Sequence, residues 1–159
     1  MQVDKSNDLR WLKIQEEADY QRLVELEHLV YPPDDCITAS EYLDYQVKGN
    51  RVWILTRSDE WIANYQISTM PTDAPAECFG LYISGLAVFR PYQGQGYGHL
   101  AFSKLVTKFG CSQLSARVRT ENPGPRSLLR KFGFEYCIRE SRREILWDWF
   151  TRQASKSMD

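Results

Sequence analysis

Nowhere in the 159-residue chain do eighteen apolar residues follow one another, which excludes a transmembrane helix. The opening residues MQVDKSNDLRW are polar and mixed in charge. They lack the apolar run and small-residue cleavage site of a secretory signal. An excess of one charge is also missing: 20 Lys and Arg stand against 21 Asp and Glu, a net of −1. That balance argues against a protein built to grip nucleic acid or an anionic membrane. Histidine is scarce, and Cys36, Cys78, Cys111 and Cys137 form no C-x-x-C pair. A metal site is therefore not expected, and without an export signal neither is a disulfide framework. The four cysteines read as reduced thiols, mostly small core residues. Internal repeats and low-complexity stretches are absent too. What survives these exclusions is a cytoplasmic globular protein.

The apolar fraction of 43% and the charged fraction of 26% suit a chain with a substantial core. Its length fits one ordinary domain, expected over residues 1–151, with a frayed, disordered tail over 152–159. Leu9–Ile14 reads as a short strand. Tyr20, Leu23, Leu26 and Val30 recur at helical spacing between Glu16 and Val30, and Pro32–Pro33 ends that helix. Thr38-x-x-Glu41 is a capping box that opens a second helix through about Val47. Arg51–Thr56 and Trp61–Met70 form a hairpin across Ser58–Glu60. Phe79–Phe89 is the most strand-like run. After it come a helix over 97–109, a strand over 114–119, a short helix over 125–132, and strands over 134–138 and 145–150. The alternation predicts an α/β domain around one mixed sheet.

Chemistry concentrates at Gln93-Gly94-Gln95-Gly96-Tyr97-Gly98. Three alternating glycines after a strand and before an amphipathic helix let several backbone N–H groups aim at one point. The helix start adds about half a positive charge there, which suits a phosphate or pyrophosphate. A plain tight surface turn would also use these glycines. Gly96-Tyr97-Gly98-His99-Leu100-Ala101 matches the dinucleotide pattern G-x-G-x-x-A as well. However, Val88 and Gly96 are separated by a span containing Pro91. Too little chain follows for the further parallel βα units that such a site needs.

Leu86-Ala87-Val88, a short polar loop and Gln93-x-x-Gly96-x-Gly98 together closely resemble the signature of the GNAT superfamily of acyl-CoA-dependent N-acyltransferases. A second match follows in the correct order, Asn122-Pro123-Gly124-Pro125 through Leu128-Leu129 to Gly133-Phe134. The two motifs span residues 86–134. The resemblance implies a single-domain GNAT-like α/β fold, its mixed central sheet splayed at the coenzyme A site and flanked by helices. It also implies acetyl-CoA as cosubstrate and no metal. The pyrophosphate would rest on the amides of Gln93, Gly94, Gln95, Gly96, Tyr97 and Gly98. The pantetheine arm would pair with Leu86, Ala87 and Val88, beside a bulge at Gly85. His99 would add a donor to a phosphate or face solvent, and Asn122 would contact an amide of the arm.

The chain departs from the family at its proton-transfer positions. Leu129 stands where many relatives carry the Tyr that protonates the departing thiolate, and Pro125 replaces a small Ala. Arg117 stands where N-terminal protein acetyltransferases carry a Glu base. Tyr82 stands where other relatives carry Glu or His, with Ser84 two residues on along the same strand face. The resemblance implies direct attack of a primary amine on the thioester, with the oxyanion near the Leu86–Val88 amides. A water relayed by Tyr82 and Ser84 would take the proton, with Glu121 or Glu77 as remote acceptors. The resemblance implies that the acceptor, a small cationic amine or a peptide amine, would be bordered by Tyr31, Asp34, Asp35, Glu41, Tyr42, Asp44 and Tyr45. A solvated acidic helix face explains the same charges. The alternative function is a non-catalytic acyl-CoA-binding regulatory domain. No nucleic-acid or membrane partner is expected, the basic stretch at 139–143 reads as a solvated turn, and a homodimer is left open.

Overall fold

A computed structural model describes residues 8–121 and 123–155. The elements run β1 Leu9–Ile14, α1 Glu17–Glu27, α2 Ala39–Val47, β2 Arg51–Arg57, β3 Glu60–Thr69, β4 Leu81–Val88, α3 Tyr97–Phe109, β5 Leu114–Arg119, α4 Pro123–Lys131, β6 Glu135–Arg142 and β7 Ile145–Arg152. The strands make one mixed seven-stranded sheet ordered β1-β2-β3-β4-β5-β7-β6. Helices and strands follow in the order expected from the sequence. The chain divides into two compact units, Met1–Gln66 with Gly85–Phe102, and Ile67–Ser84 with Ser103–Asp159.

In the first unit β1 pairs antiparallel with β2, from Leu9↔Arg57 to Ile14↔Val52. β2 is buried from Val52 through Thr56, because both faces of the strand are covered. That is why RVWILT reads as an unbroken apolar run rather than an alternation. On one face Val52 and Ile54 join Ile14, Tyr20, Leu23, Tyr42, Trp61 and Phe89. On the other, Leu55 joins Ile62, Ala63, Tyr97 and Ala101. The capping box forms as expected: the Glu41 amide donates to Thr38 Oγ1 at 3.1 Å, and the Thr38 amide to Glu41 Oε1 at 3.1 Å. Two of the four amides that an α-helix leaves unpaired at its start are thereby satisfied.

In the second unit β4 runs parallel to β5 through Leu81↔Leu114 and Tyr82↔Ser115. β5 pairs antiparallel with β7, and β6 with β7. Asp148 on β7, 1% exposed, accepts from Arg126 Nη2 at 2.6 Å and Arg139 Nε at 2.8 Å. The basic stretch 139–143 is thus largely strand rather than a solvated turn: β6 continues to Arg142. Only Arg143 and Glu144, at φ 48° and 67°, make the tight hairpin turn whose geometry matches the twist of the strands. Arg139 is held by Asp148, and Arg142 is paired with Asp73 and Glu140. β7 also passes the expected domain end at 151. Arg152 Nε donates to the Phe132 carbonyl at 3.0 Å, and the Ser155 amide to the Gly110 carbonyl at 2.7 Å. The remainder of the expected tail, 156–159, lies outside the described residues. All four cysteines are free thiols.

Candidate active site

The end of β4 and the glycine loop lie together in the first unit. Ala87 is buried, and the Phe89 amide donates to the Ile62 carbonyl at 2.9 Å. A 3-10 turn over Arg90–Tyr92 then reverses the chain. Gln93 folds its side chain back, Nε2 donating to the Val88 carbonyl at 3.1 Å, and Gln95 Nε2 reaches the Pro91 carbonyl at 3.3 Å. Gly94 and Gly96 adopt φ of +76° and +89°, the left-handed region that other residues enter only at a cost. A Cβ on either would meet nothing within 4 Å, so their outer side is open. The first α3 hydrogen bond runs from the Leu100 amide to the Gly96 carbonyl. Tyr97 and Gly98 therefore sit in the first turn, where amides point out along the axis and the helix dipole is positive.

What fixes this loop is Tyr97. Its ring is buried in the core, with Arg57 Nη2 donating to its hydroxyl at 2.7 Å and the Tyr92 ring meeting it edge-on. Gly98 differs from the other two glycines. Its φ is ordinary, and a Cβ there would lie 3.5 Å from Val88 Cγ2, an unremarkable contact. Nothing in the chain itself demands glycine at that position. His99 follows, exposed to solvent.

Behind the same stretch of β4 lies a buried polar group that sequence inspection missed. Glu27, in the last turn of α1, is only 7% exposed. The Tyr42 hydroxyl donates to its Oε1 and accepts from Gln66 Nε2 at 3.1 Å. Gln66 Nε2 also reaches Asn64 Oδ1, and Asn50 Nδ2 donates to Gln66 Oε1. Burial pushes the Glu27 carboxyl up to about 7, against the opposing effect of the Tyr42 hydrogen bond. Gly85 approaches the side chain of Gln66 so closely that a Cβ would lie 3.0 Å from its Cδ. From the other direction the Tyr31 hydroxyl donates to the Leu86 carbonyl at 3.2 Å. Tyr42 (3% exposed) is thus a core residue and does not border an acceptor surface. Asp34, Asp35, Asp44 and Tyr45 remain exposed, and Glu41 is committed to the capping box.

In the second unit, Tyr82 is half-buried and its ring tilts against Trp149 at 5.7 Å. Arg117 hydrogen-bonds the Tyr82 hydroxyl; burial raises the Tyr82 pKa, and the guanidinium opposes that rise. The same guanidinium lies over the rings of Trp147, Trp149 and Tyr82 at 5.1, 5.7 and 5.9 Å. Its Nη1 is enclosed without a hydrogen-bond acceptor. Ser84 is exposed, and the β4–β5 ladder ends after Tyr82, before Ile83 and Ser84. Leu129 is buried core. Asn122 lies outside the described residues. No cluster of three or more His, Cys, Asp or Glu groups suited to a metal ion occurs among the described residues. Nor do those residues include a helix long and apolar enough to cross a membrane.

A strand ending in an open glycine loop at a helix start is a geometry suited to an anionic group such as a phosphate, and comparison gives the chain a family. The profile of the acetyltransferase (GNAT) family matches residues 18–134, and the chain belongs to that family. Among solved structures it is similar to the ribosomal-protein-S18-alanine N-acetyltransferase from Escherichia coli. That likeness has a TM-score of 0.74 at 16% identity and covers 95% of this chain and 97% of that one. Arabidopsis thaliana NAA60 in complex with a bisubstrate analogue matches with a TM-score of 0.67 at 15% identity over 91% and 98% of the two chains. A GNAT family acetyltransferase from Elizabethkingia anophelis with acetyl-CoA bound matches with 0.63 at 12% identity over 92% and 99%. At such identities the likeness speaks for the fold. No curated protein matches the chain.

Proposed function

We propose that the protein is an N-acetyltransferase that moves an acetyl group from acetyl-CoA to a primary amine by direct attack in a ternary complex. The observation that carries this reading is Gly98. A glycine with ordinary φ and room for a Cβ, placed in the first turn of α3 beside two left-handed glycines, is explained by a ligand that presses against the backbone. A pyrophosphate held by the amides of Gln93 through Gly98 is such a ligand. The acyl arm would lie along Leu86–Val88. The Leu86 and Val88 carbonyls already accept from Tyr31 and Gln93. Each carbonyl oxygen has two lone pairs, so a second donor from the arm is accommodated.

The amine's lone pair attacks the thioester carbon, the C–S bond breaks with its electron pair on sulfur, and one N–H proton ends on the thiolate. A thiol has a reference pKa of about 8.5, so the leaving group needs little help. That makes Leu129 at the usual Tyr position a tolerable change. Arg117 donates to the Tyr82 oxygen, so in this reading the Tyr82 hydroxyl serves as a proton donor to the leaving sulfur rather than as the acceptor of the amine's proton. Ser84, exposed on the same strand, would hold a water. The acceptor remains a small cationic amine or a peptide amine. Free thiols at all four cysteines suit a cytoplasmic setting.

The test is incubation with acetyl-CoA and a panel of primary amines, small and peptide-borne, followed by mass measurement of the acceptors. A mass gain of one acetyl group on an amine supports the reading. Binding of acetyl-CoA without transfer to any amine would favour a non-catalytic acyl-CoA-binding domain instead.

A further inference from the structure

Cysteine gives this chain a chemistry that acetyl transfer does not use. Two of its four thiols face each other: Cys78 Sγ lies 3.9 Å from Cys137 Sγ. Both belong to the second unit. Cys78 stands in the segment between β3 and β4, 5% exposed, and the chain after it is firmly held. The Phe79 carbonyl accepts from Ser115 Oγ at 3.3 Å, and the Leu81 amide donates to the Gln113 carbonyl at 2.9 Å. Between them Gly80 turns at φ +97°, where a Cβ would strike the Gln113 carbonyl. Cys78 is therefore the fixed member of the pair.

Cys137 is the movable one. β6 lies at the edge of the sheet, and its ladder with β7 steps from Tyr136↔Phe150 to Ile138↔Trp149. Two residues of β6 thus advance for one of β7, and Cys137 is the extra residue of a β-bulge. A bulge leaves its extra residue out of the ladder and re-aims the side chain. Here the side chain meets Cys78, and it is only partly buried, so a small oxidant can reach its sulfur. A second contact fixes the alignment. Arg142 Nη2 donates to the Asp73 carbonyl at 3.1 Å, and the guanidinium pairs with the Asp73 carboxylate. Asp73 and Cys78 meet Arg142 and Cys137 in opposite chain directions, five residues apart on each side. The segment over 71–80 is therefore held to β6 at one ionic contact and touches it at one sulfur pair.

We propose that Cys78 and Cys137 are a redox pair, closed to a disulfide by a low-molecular-weight disulfide such as glutathione disulfide, which straps the 71–80 segment to β6. The Cys137 thiolate attacks one sulfur of glutathione disulfide, the S–S bond breaks, and one glutathione thiolate leaves. Cys78 gives its proton to solvent; its sulfur then attacks Cys137 Sγ and expels the second glutathione. Two protein thiols lose two electrons in all, and one disulfide is reduced to two glutathione thiols. Burial and the neighbouring Cys137 both push the Cys78 pKa up, so Cys78 is a thiol at neutral pH and the pair stays open in a reducing setting. The neighbour's share of that rise falls away once Cys137 carries glutathione. Closure brings the sulfurs to about 2.05 Å, a shift that a bulge on an edge strand absorbs without breaking the ladder. Burial dominates the Tyr82 pKa, and Asp73 and Arg142 act on it in opposite directions. The strap thus also fixes two charges that bear on that hydroxyl.

The experiment takes the full chain, reduced and then incubated with glutathione disulfide, through peptide mass mapping, hydrogen exchange and thermal melting. Wild type should yield Cys78 and Cys137 in one linked peptide pair, two hydrogens lighter than the separate peptides. Amides between Thr72 and Phe79 should exchange more slowly, and Tm should rise by about 10 °C, as a cross-link closing a long loop produces. Dithiothreitol should reverse all three. Cys137→Ser should show none of them, and Cys78→Ala should stop at a glutathione adduct on Cys137. Were Cys78→Ala not to fold, Cys137→Ser, at a partly exposed edge position, decides. Failure to form the linked pair overturns the proposal, whether glutathione stays on Cys137 or reacts only at the exposed Cys111. A linked pair with unchanged exchange over 72–79 overturns it as well. No step of this chemistry involves coenzyme A, so none of these outcomes bears on acetyl transfer.

Discussion

Replacing Glu27 by Gln should change how stability depends on pH, whatever it does to catalysis. The wild-type carboxyl titrates at 4.5 when unperturbed and is pushed up to about 7 by burial. The stability tied to that raised value is fully present below about pH 4.5, where both folded and unfolded chains hold the proton. It is lost as pH rises through 7, because the unfolded chain ionises freely while the folded one must charge a buried group. At about 1.4 kcal/mol for each factor of ten, the gap amounts to about 3 kcal/mol. That is a large share of the roughly 5–15 kcal/mol that holds a domain together. Urea unfolding of both proteins at intervals from pH 4.5 to 8 measures the effect. The amide introduced by Glu27→Gln leaves buried N–H groups in want of acceptors, a cost of about 1–3 kcal/mol that does not vary with pH. It offsets the two curves without changing their slopes. Wild type should lose about 3 kcal/mol relative to Glu27→Gln across that interval. Parallel curves would refute the reasoning, since a carboxyl that ionises at no cost is not buried as described.

Asp148→Asn should lower stability by about 2–3 kcal/mol, because Arg126 and Arg139 lose their counter-charge. The figure lies below the roughly 3–5 kcal/mol for a fully buried pair, since both guanidinium groups can turn partly to solvent. The Arg139 hydrogen bond holds the Asp148 pKa below its usual value, so the wild-type advantage is whole above the usual carboxylate range and should shrink as pH falls below that range toward the lowered folded-state pKa; thermal melts at pH 7 and pH 2 check both points. Tyr82→Phe keeps the ring against Trp149 and deletes the hydroxyl held by Arg117. Because a thiolate leaves with little help, turnover at saturating acetyl-CoA should fall by less than about 10²-fold, the lower range for losing an acid–base group, with little change in coenzyme A affinity, and a wild-type rate across pH 6 to 9 would remove Tyr82 from proton transfer.

The glycine loop between β4 and α3 was legible because what shapes it is local in sequence. Glycines at alternating positions, a strand before them and a helix after them lie close together along the chain, and backbone amides need no distant partner. The capping box at Thr38 and Glu41 was legible for the same reason. The buried cluster around Glu27 was not, because burial is a property of the fold. Glu27 is one of 21 acidic residues, and what singles it out is its place on the inward stripe of α1 with Tyr20 and Leu23. That i, i+3, i+7 spacing was available, and a charged residue on it is the signal that could have been followed. Tyr42 looked like part of an acidic, aromatic surface until its hydroxyl met Glu27 inside the core. Arg117 stood only for a missing base, and its contact with Tyr82 required the side-by-side pairing of β4 and β5 to become visible. The reach of β6 through Arg142 depended likewise on Asp148, which lies on the next strand.

Acetyl-CoA resting against the first turn of α3 is the central claim, and calorimetry of coenzyme A binding to Gly98→Glu tests it most directly. Since φ at Gly98 is ordinary and a Cβ meets only Val88 Cγ2 at 3.5 Å, the fold should accept the side chain. A carboxylate in the first helical turn even favours the helix. The variant should therefore melt at or above the wild-type temperature while its coenzyme A affinity collapses, because side chain and negative charge occupy the phosphate position. A folded Gly98→Glu protein that binds coenzyme A as tightly as wild type would contradict the account.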